Sequence, residues 1–209
     1  MNWPTYCKSE YSQDKWPGGL PEGWTTRRLK TVLTEPLLYG ANEAADSGDP
    51  ANPRFVRITD IAANGGLKPD TFRSLPAEKA RPYMLNEGDL LFARSGATVG
   101  KSVIYSSAWG EACFAGYLIR ARPNPNVVSA KYVRYFTESL PYWQHIASEQ
   151  IQSTIQNVSA ERYGNLLIPM PDLLGQNAIV AFLARDTTKI EAMNNKQNKL
   201  IVTLVEKRT

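Results

Sequence analysis

The chain has 209 residues, 43% of them hydrophobic and 21% charged, with a formal net charge of +4. That is room for one domain, or one with an appendage, and the composition excludes wholesale disorder and fibrous repeats. No apolar run approaches the ~20 residues of a membrane helix, and Met1-Asn2-Trp3-Pro4 lacks the basic and apolar regions of a signal peptide, so a cytoplasmic protein with no membrane partner is expected.

Residues 1–19 read as a flexible leader, ending in the turn-forming string Trp16-Pro17-Gly18-Gly19-Leu20-Pro21. Trp24 to Leu33 predicts a strand or short helix, and the Gly-, Asn-, Asp- and Pro-rich stretch 40–53 a long exposed loop. Phe55-Val56-Arg57-Ile58 alternates as a half-buried strand does, and Asn64-Gly65-Gly66 marks a turn. Leu90-Leu91-Phe92-Ala93, Val103-Ile104-Tyr105 and Gly116 to Ala121 are three further strand-like runs. Tyr132, Val133, Tyr135 and Phe136 have helical spacing, residues 148–159 are polar and amide-rich, and Leu166 to Pro171 is a strand stopped by prolines. Beyond Gly175 there is neither glycine nor proline. Ile179, Leu183, Ile190, Met193, Leu200 and Leu204 follow one alternating 4-3 register, completed by Asp186 and Gln197. That is the seam of a coiled-coil helix roughly 50 Å long. The expected fold class is α+β, with a β-rich domain carrying small helices over 20–172 and one long C-terminal helix over 173–209.

Charge is distributed unevenly. Residues 35–49 hold Glu35, Glu43, Asp46 and Asp49 and no base, whereas 94–134 hold Arg94, Lys101, Arg120, Arg122, Lys131 and Arg134 against Glu111 alone. A segment of net +5 is read either as a phosphate-facing surface or as a solvated face.

Catalytic signatures fail one after another. Ser95-Gly96-Ala97-Thr98-Val99-Gly100-Lys101-Ser102 is one residue from a P-loop, but a β-rich string follows it where a helix is needed. Cys7 and Cys113 cannot alone form a disulfide framework or a zinc site, and the single histidine, His145, removes most imidazole chemistry. A binder, with no catalytic residue and no metal site, is the expectation.

Four stretches carry a resemblance, which the ending from Thr187 to Arg208 also fits, and together they cover about 190 residues. They are Leu20-Pro21-Glu22-Gly23-Trp24, the run from Gly88 to Lys101, Ser153 to Ser159, and Leu167-Ile168-Pro169-Met170-Pro171 continuing into Gln176 and Ile179 to Leu183. In order and spacing they resemble the specificity subunit of type I restriction-modification systems. The resemblance implies that 20–172 is a target recognition domain reading one half of a bipartite double-stranded DNA site. It implies partners as well: methyltransferase subunits that bind S-adenosylmethionine, and a motor-nuclease subunit using ATP and Mg, with no cofactor in this chain. Members of that family carry two such domains and two helices, so this chain resembles a half-subunit or a truncation. Homodimerisation through Ile179, Leu183, Ile190, Met193, Gln197, Leu200 and Leu204 follows, with each copy reading one arm of an inverted repeat. Expected phosphate contacts are Arg94, Lys101, Arg120 and Lys131, and expected base-reading or groove contacts are Arg57, Ser95, Thr98, Gln150, Gln152 and Ser153. Gln150 and Gln152 could instead cap the neighbouring helix. The rival reading is a coiled-coil interaction adaptor whose globular domain binds protein.

Overall fold

A run of four apolar residues builds the centre of the molecule. The computed structural model describes residues 19–62, 66–151 and 157–206. Strand β1 (Thr25–Arg28) is followed by a 3-10 turn at Leu29–Val32, then by β2 (Leu38–Tyr39), β3 (Arg54–Val56) and the short helix α1 (Ala77–Ala80). Strands β4 (Leu90–Ala93), β5 (Ser102–Ile104), β6 (Ala112–Phe114) and β7 (Leu118–Ala121) follow. The rest is α2 (Ala130–Phe136), α3 (Leu140–Ile151), α4 (Ala160–Gly164), β8 (Leu167–Met170) and α5 (Leu173–Glu206). The class is α+β with a long C-terminal helix. Among the described residues no helix is long and apolar enough to cross a membrane.

An antiparallel sheet of order β2-β7-β4-β5 forms the middle layer, with β1–β8 as an antiparallel pair and β3–β6 as a parallel pair. Strand β4 is buried on both faces, which is why its sequence is continuously apolar. Leu90 and Phe92 join Ile119 and Ala121 in the core under the helices, where Val133, Tyr142, Ile146 and Tyr163 complete it. Leu91, Ala93 and Leu118 point the other way, onto Val56, Val103 and Phe114. The period of two thus distributes one strand between two cores.

Three points differ from the sequence-based expectation. Phe55-Val56 is a strand, but Ile58–Asp60 turns into a 3-10 segment. Gly116 and Tyr117 form a turn before β7, which leaves Tyr117 66% exposed. The 40–53 loop is not exposed throughout, since Gly40, Ala41 and Pro53 are buried. The leader up to Gly18, and Asn64 and Gly65, lie outside the described residues.

Two buried tyrosines clamp the hairpin between β4 and β5. Tyr163 Oη, on α4, donates to the Ala93 carbonyl at 2.7 Å and accepts from the Gly100 N–H at 3.2 Å. Tyr142 Oη, on α3, donates to the Gly100 carbonyl. Both phenols are fully buried, and burial raises their pKa, so they remain donors. Gly100 itself has φ +87, and a Cβ there would stand 2.8 Å from Trp143 Cζ3 and 3.0 Å from Ile146 Cγ2. A positive φ and an indole against the backbone both demand glycine. The segment with P-loop-like spacing is therefore a hairpin connection, with one 3-10 turn at Gly96–Thr98 leading into β5.

Helix α5 begins locked to the domain. Gln176 is fully buried, accepts from the Ser129 N–H at 2.8 Å and donates to the Pro171 carbonyl at 3.0 Å. Ile179 and Val180 pack on the main core. Beyond Asp186 every residue whose side chain is described is exposed, including Ile190, Met193, Leu200 and Leu204 at 57–62%.

Two outcomes follow for folding. Tyr142→Phe keeps the ring but deprives the Gly100 carbonyl of its phenol donor, and a loss of about 1–3 kcal/mol is expected in denaturant titration. Gly100→Ala should lose a similar amount through strain and overpacking. Burial also pushes the Cys113 thiol up to about 12. In a Cys7→Ser variant, aromatic disulfide reagents at pH 8 should leave the folded chain unlabelled and react once it is unfolded. An unfolded cysteine releases its proton near pH 8.5 while the folded one keeps it, so Cys113 favours unfolding progressively above that pH.

Candidate nucleic-acid interface

The clamp fixes the β4–β5 hairpin, and the hairpin presents four polar residues. Arg94 follows the last residue of β4. Its guanidinium carbon lies 4.7 Å from the Tyr39 ring centroid, and its Nε donates to Asn157 Oδ1 at 3.3 Å. The Arg94 N–H donates to the Tyr117 carbonyl at 3.0 Å, its carbonyl accepts from Val158 N–H at 2.8 Å, and Ser95 bridges to Asn157. Tyr39 is held in turn, because its Oη accepts from the Ala160 N–H at 2.9 Å. Arg94 and Ser95 thus sit in a cluster with Tyr39, Tyr117 and Asn157.

Thr98 and Lys101 open onto a neighbouring groove of about 420 Å³, walled by Ile58, Ile61 and Trp143 and rimmed by Lys68 and Arg134. Lys101 is exposed, and its ammonium has no hydrogen bond or ion pair among the described residues. Lys131 lies in a second groove of about 550 Å³ with Glu87, Asp89 and Arg122. Thr98 and Lys101 therefore line a different groove from Lys131.

Arg120, expected to contact phosphate, lies buried as a strut in this structure. Its side chain is 7% exposed, pairs with Glu35 at 2.6 Å and donates to the Met84 carbonyl at 3.0 Å. Burial, followed by the neighbouring Arg122, lowers its pKa, while Asp89 and Glu35 act against that shift. Arg122 forks onto Asp89 with two bonds of 2.7 Å and reaches Glu35 at 2.7 Å. Its pKa is raised, first by the hydrogen bond to Asp89. Arg134 pairs with Glu138. The +5 segment read from the sequence is thus half neutralised by the fold. Arg57, expected among the base-reading or groove contacts, forks onto the fully buried Asp60 at 3.1 and 2.7 Å and donates to the Thr71 carbonyl. Its fork is engaged within the domain.

Gln152 and Ser153 lie outside the described residues, and for Gln150, near the end of α3, only the backbone is described. Along α5, Ile179 packs on its own domain and Leu183 is half-buried, so the outward seam begins at Ile190. Among the described residues no group of three or more His, Cys, Asp or Glu is placed to hold a metal ion. Sequence reasoning missed Tyr39, Tyr117, Asn157 and Trp143. Only for Tyr117 was there a local signal, an aromatic directly after a turn-forming glycine.

The model of the type I restriction modification DNA specificity domain matches residues 21–201. The chain is similar to the StySPI type I restriction enzyme specificity subunit of Salmonella potsdam, 27% identical over 169 residues, covering 78% of this chain and 36% of that one. It is also similar to the putative MjaX type I restriction enzyme specificity subunit of Methanocaldococcus jannaschii, 25% identical over 191 residues, covering 88% and 44%. The chain therefore spans well under half the length of these curated relatives. Among solved structures, the HsdS subunit from Thermoanaerobacter tengcongensis shares the fold at a TM-score of 0.64 and 22% identity, over 87% of this chain and 42% of that one. A chain solved for complex assembly and conformational transition of the type I R-M system gives a TM-score of 0.69 at 21% identity, over 86% and 42%. With matched residues running from before β1 deep into α5, the chain belongs to the type I restriction modification DNA specificity domain family.

Proposed function

We propose that this chain is the DNA-recognition component of a type I restriction-modification complex. Its β-rich domain reads one half of a bipartite duplex site, and α5 sets the distance to the second half. Two copies pair through the outer part of α5, and methyltransferase subunits dock on the pair, joined by the motor-nuclease subunit. The chain is non-catalytic and works in the cytoplasm, and S-adenosylmethionine, ATP and Mg belong to those partners. The observation that supports this most is the family match, which extends from residue 21 to residue 201 and so includes both the β-rich domain and most of α5. The exposed stripe Ile190, Met193, Leu200 and Leu204 supports pairing, because a helix with such a seam gains by covering it.

Duplex binding is measured by fluorescence anisotropy against salt concentration. Affinity should fall steeply as salt rises. Lys101→Ala should weaken cognate and random duplexes alike and flatten the logarithmic salt slope by about one unit. Arg120→Ala should instead destabilise the fold by about 2–3 kcal/mol, since one partner of a largely buried ion pair is removed. Binding that ignores salt would refute the DNA reading.

Pairing is checked by static light scattering at tens of micromolar. The full chain should run as a dimer, and the double variant Ile190→Asp, Leu200→Asp as a folded monomer. A monomeric wild type overturns this part of the proposal.

A further inference from the structure

We propose that Arg94 reads the Hoogsteen edge of a guanine, held in its reading pose by Tyr39 and Asn157. The inference rests on the DNA-reading function proposed above and names the chemistry of its specificity. Arg94 differs from three other arginines around the sheet. Arg57, Arg120 and Arg122 each have a carboxylate on the guanidinium. Arg94 has no ion pair among the described residues, although it is half-buried. Its guanidinium lies over the Tyr39 ring, and its Nε is tied to Asn157. The backbone on both sides is pinned, the N–H to Tyr117 and the carbonyl to Val158. Both terminal nitrogens remain without a partner among the described residues, and neither is a buried unsatisfied atom.

A phosphate contact needs only a positive charge within reach, which the unattached Lys101 supplies. A base reader needs its fork in a fixed plane, because two donors must meet two acceptors at once. Guanine presents such a pair in the major groove, O6 and N7, and arginine matches it bidentately. A guanidinium over an aromatic face with Nε bonded leaves the two terminal nitrogens, unpaired among the described residues, as the edge for a base. Tyr39 is itself fixed through its hydroxyl to the first residue of α4, so the platform does not need to order on binding. Tyr117, whose carbonyl accepts from the Arg94 N–H, is 66% exposed.

The test uses the full chain and a randomised duplex library. The selected site is resynthesised with each guanine replaced in turn by 7-deazaguanine, which lacks the N7 acceptor. One guanine in each half-site should prove sensitive, with wild-type affinity falling about tenfold on its replacement. Arg94→Lys keeps the charge but not the fork, so it should retain the wild-type salt slope and be indifferent to that replacement. Tyr39→Leu should lose the same discrimination, and Tyr39→Phe, which keeps the ring, should preserve it. A selected site with no guanine sensitive to loss of N7 overturns the inference whatever the variants do. So does an Arg94→Ala chain that weakens all sequences alike, flattens the slope by about one unit and keeps the sensitivity to N7, the behaviour of a phosphate contact. If the wild type selects no sequence, the DNA-reading function falls with it. If it selects one and Arg94→Lys selects the same with equal discrimination, only the role of Arg94 is lost.

Discussion

Two phenol hydroxyls hold the part of the molecule on which its proposed function depends. The connection between β4 and β5 brings the polar backbone of Ala93 and Gly100 into the interior, where unpaired groups are costly. Tyr163 and Tyr142 satisfy those groups from α4 and α3. The hairpin is therefore oriented by helices that lie 40 to 70 residues further along the chain. Because α4 also anchors Tyr39, which underlies Arg94, the clamp and the polar cluster share one support. Gly100 sits where these demands meet, and its lack of a side chain lets Trp143 close over the turn.

A second constraint is electrostatic. The acid-rich 35–49 segment and the base-rich 94–134 segment lie far apart in sequence but meet at β7. Glu35 receives Arg120 and Arg122, and Asp89 takes the fork of Arg122. A largely buried guanidinium requires such partners, since an unpaired charge inside the protein is strongly disfavoured. What remains for an external anion is a smaller set, with Arg94 and Lys101 on the hairpin and Lys131 in a separate groove. Local charge density alone overstates the cationic surface.

Helix α5 has two regimes within one continuous element. Its start is a structural part of the domain, tied by Gln176 and packed through Ile179 and Val180. Its outer part carries apolar side chains in water. The heptad register passes smoothly from one regime to the other, so nothing in the periodicity marks the transition. A helix firmly rooted at one end is a suitable spacer, because its direction is set by its own domain before any partner arrives.

Much was legible in the sequence because it depends on local periodicity. The two-faced strand Leu90–Ala93, helix α2, the proline-stopped strand β8 and the long final helix all follow from spacing of apolar residues, and the order of short motifs pointed to the family. The hairpin in place of a P-loop was legible too, since a strand-forming string follows Lys101. What only the tertiary structure decided is which polar residues are free. Arg94 and Arg120 look equivalent as letters. One lies over the Tyr39 ring with its terminal nitrogens unpaired among the described residues, and the other pairs with Glu35 at 7% exposure. Tyr39 and Asn157 lie 55 and 63 residues from Arg94 in the chain, and no local pattern links them. Periodicity determines which face of an element is apolar. The partner of a given side chain is set by how those faces stack, and that depends on contacts between distant segments.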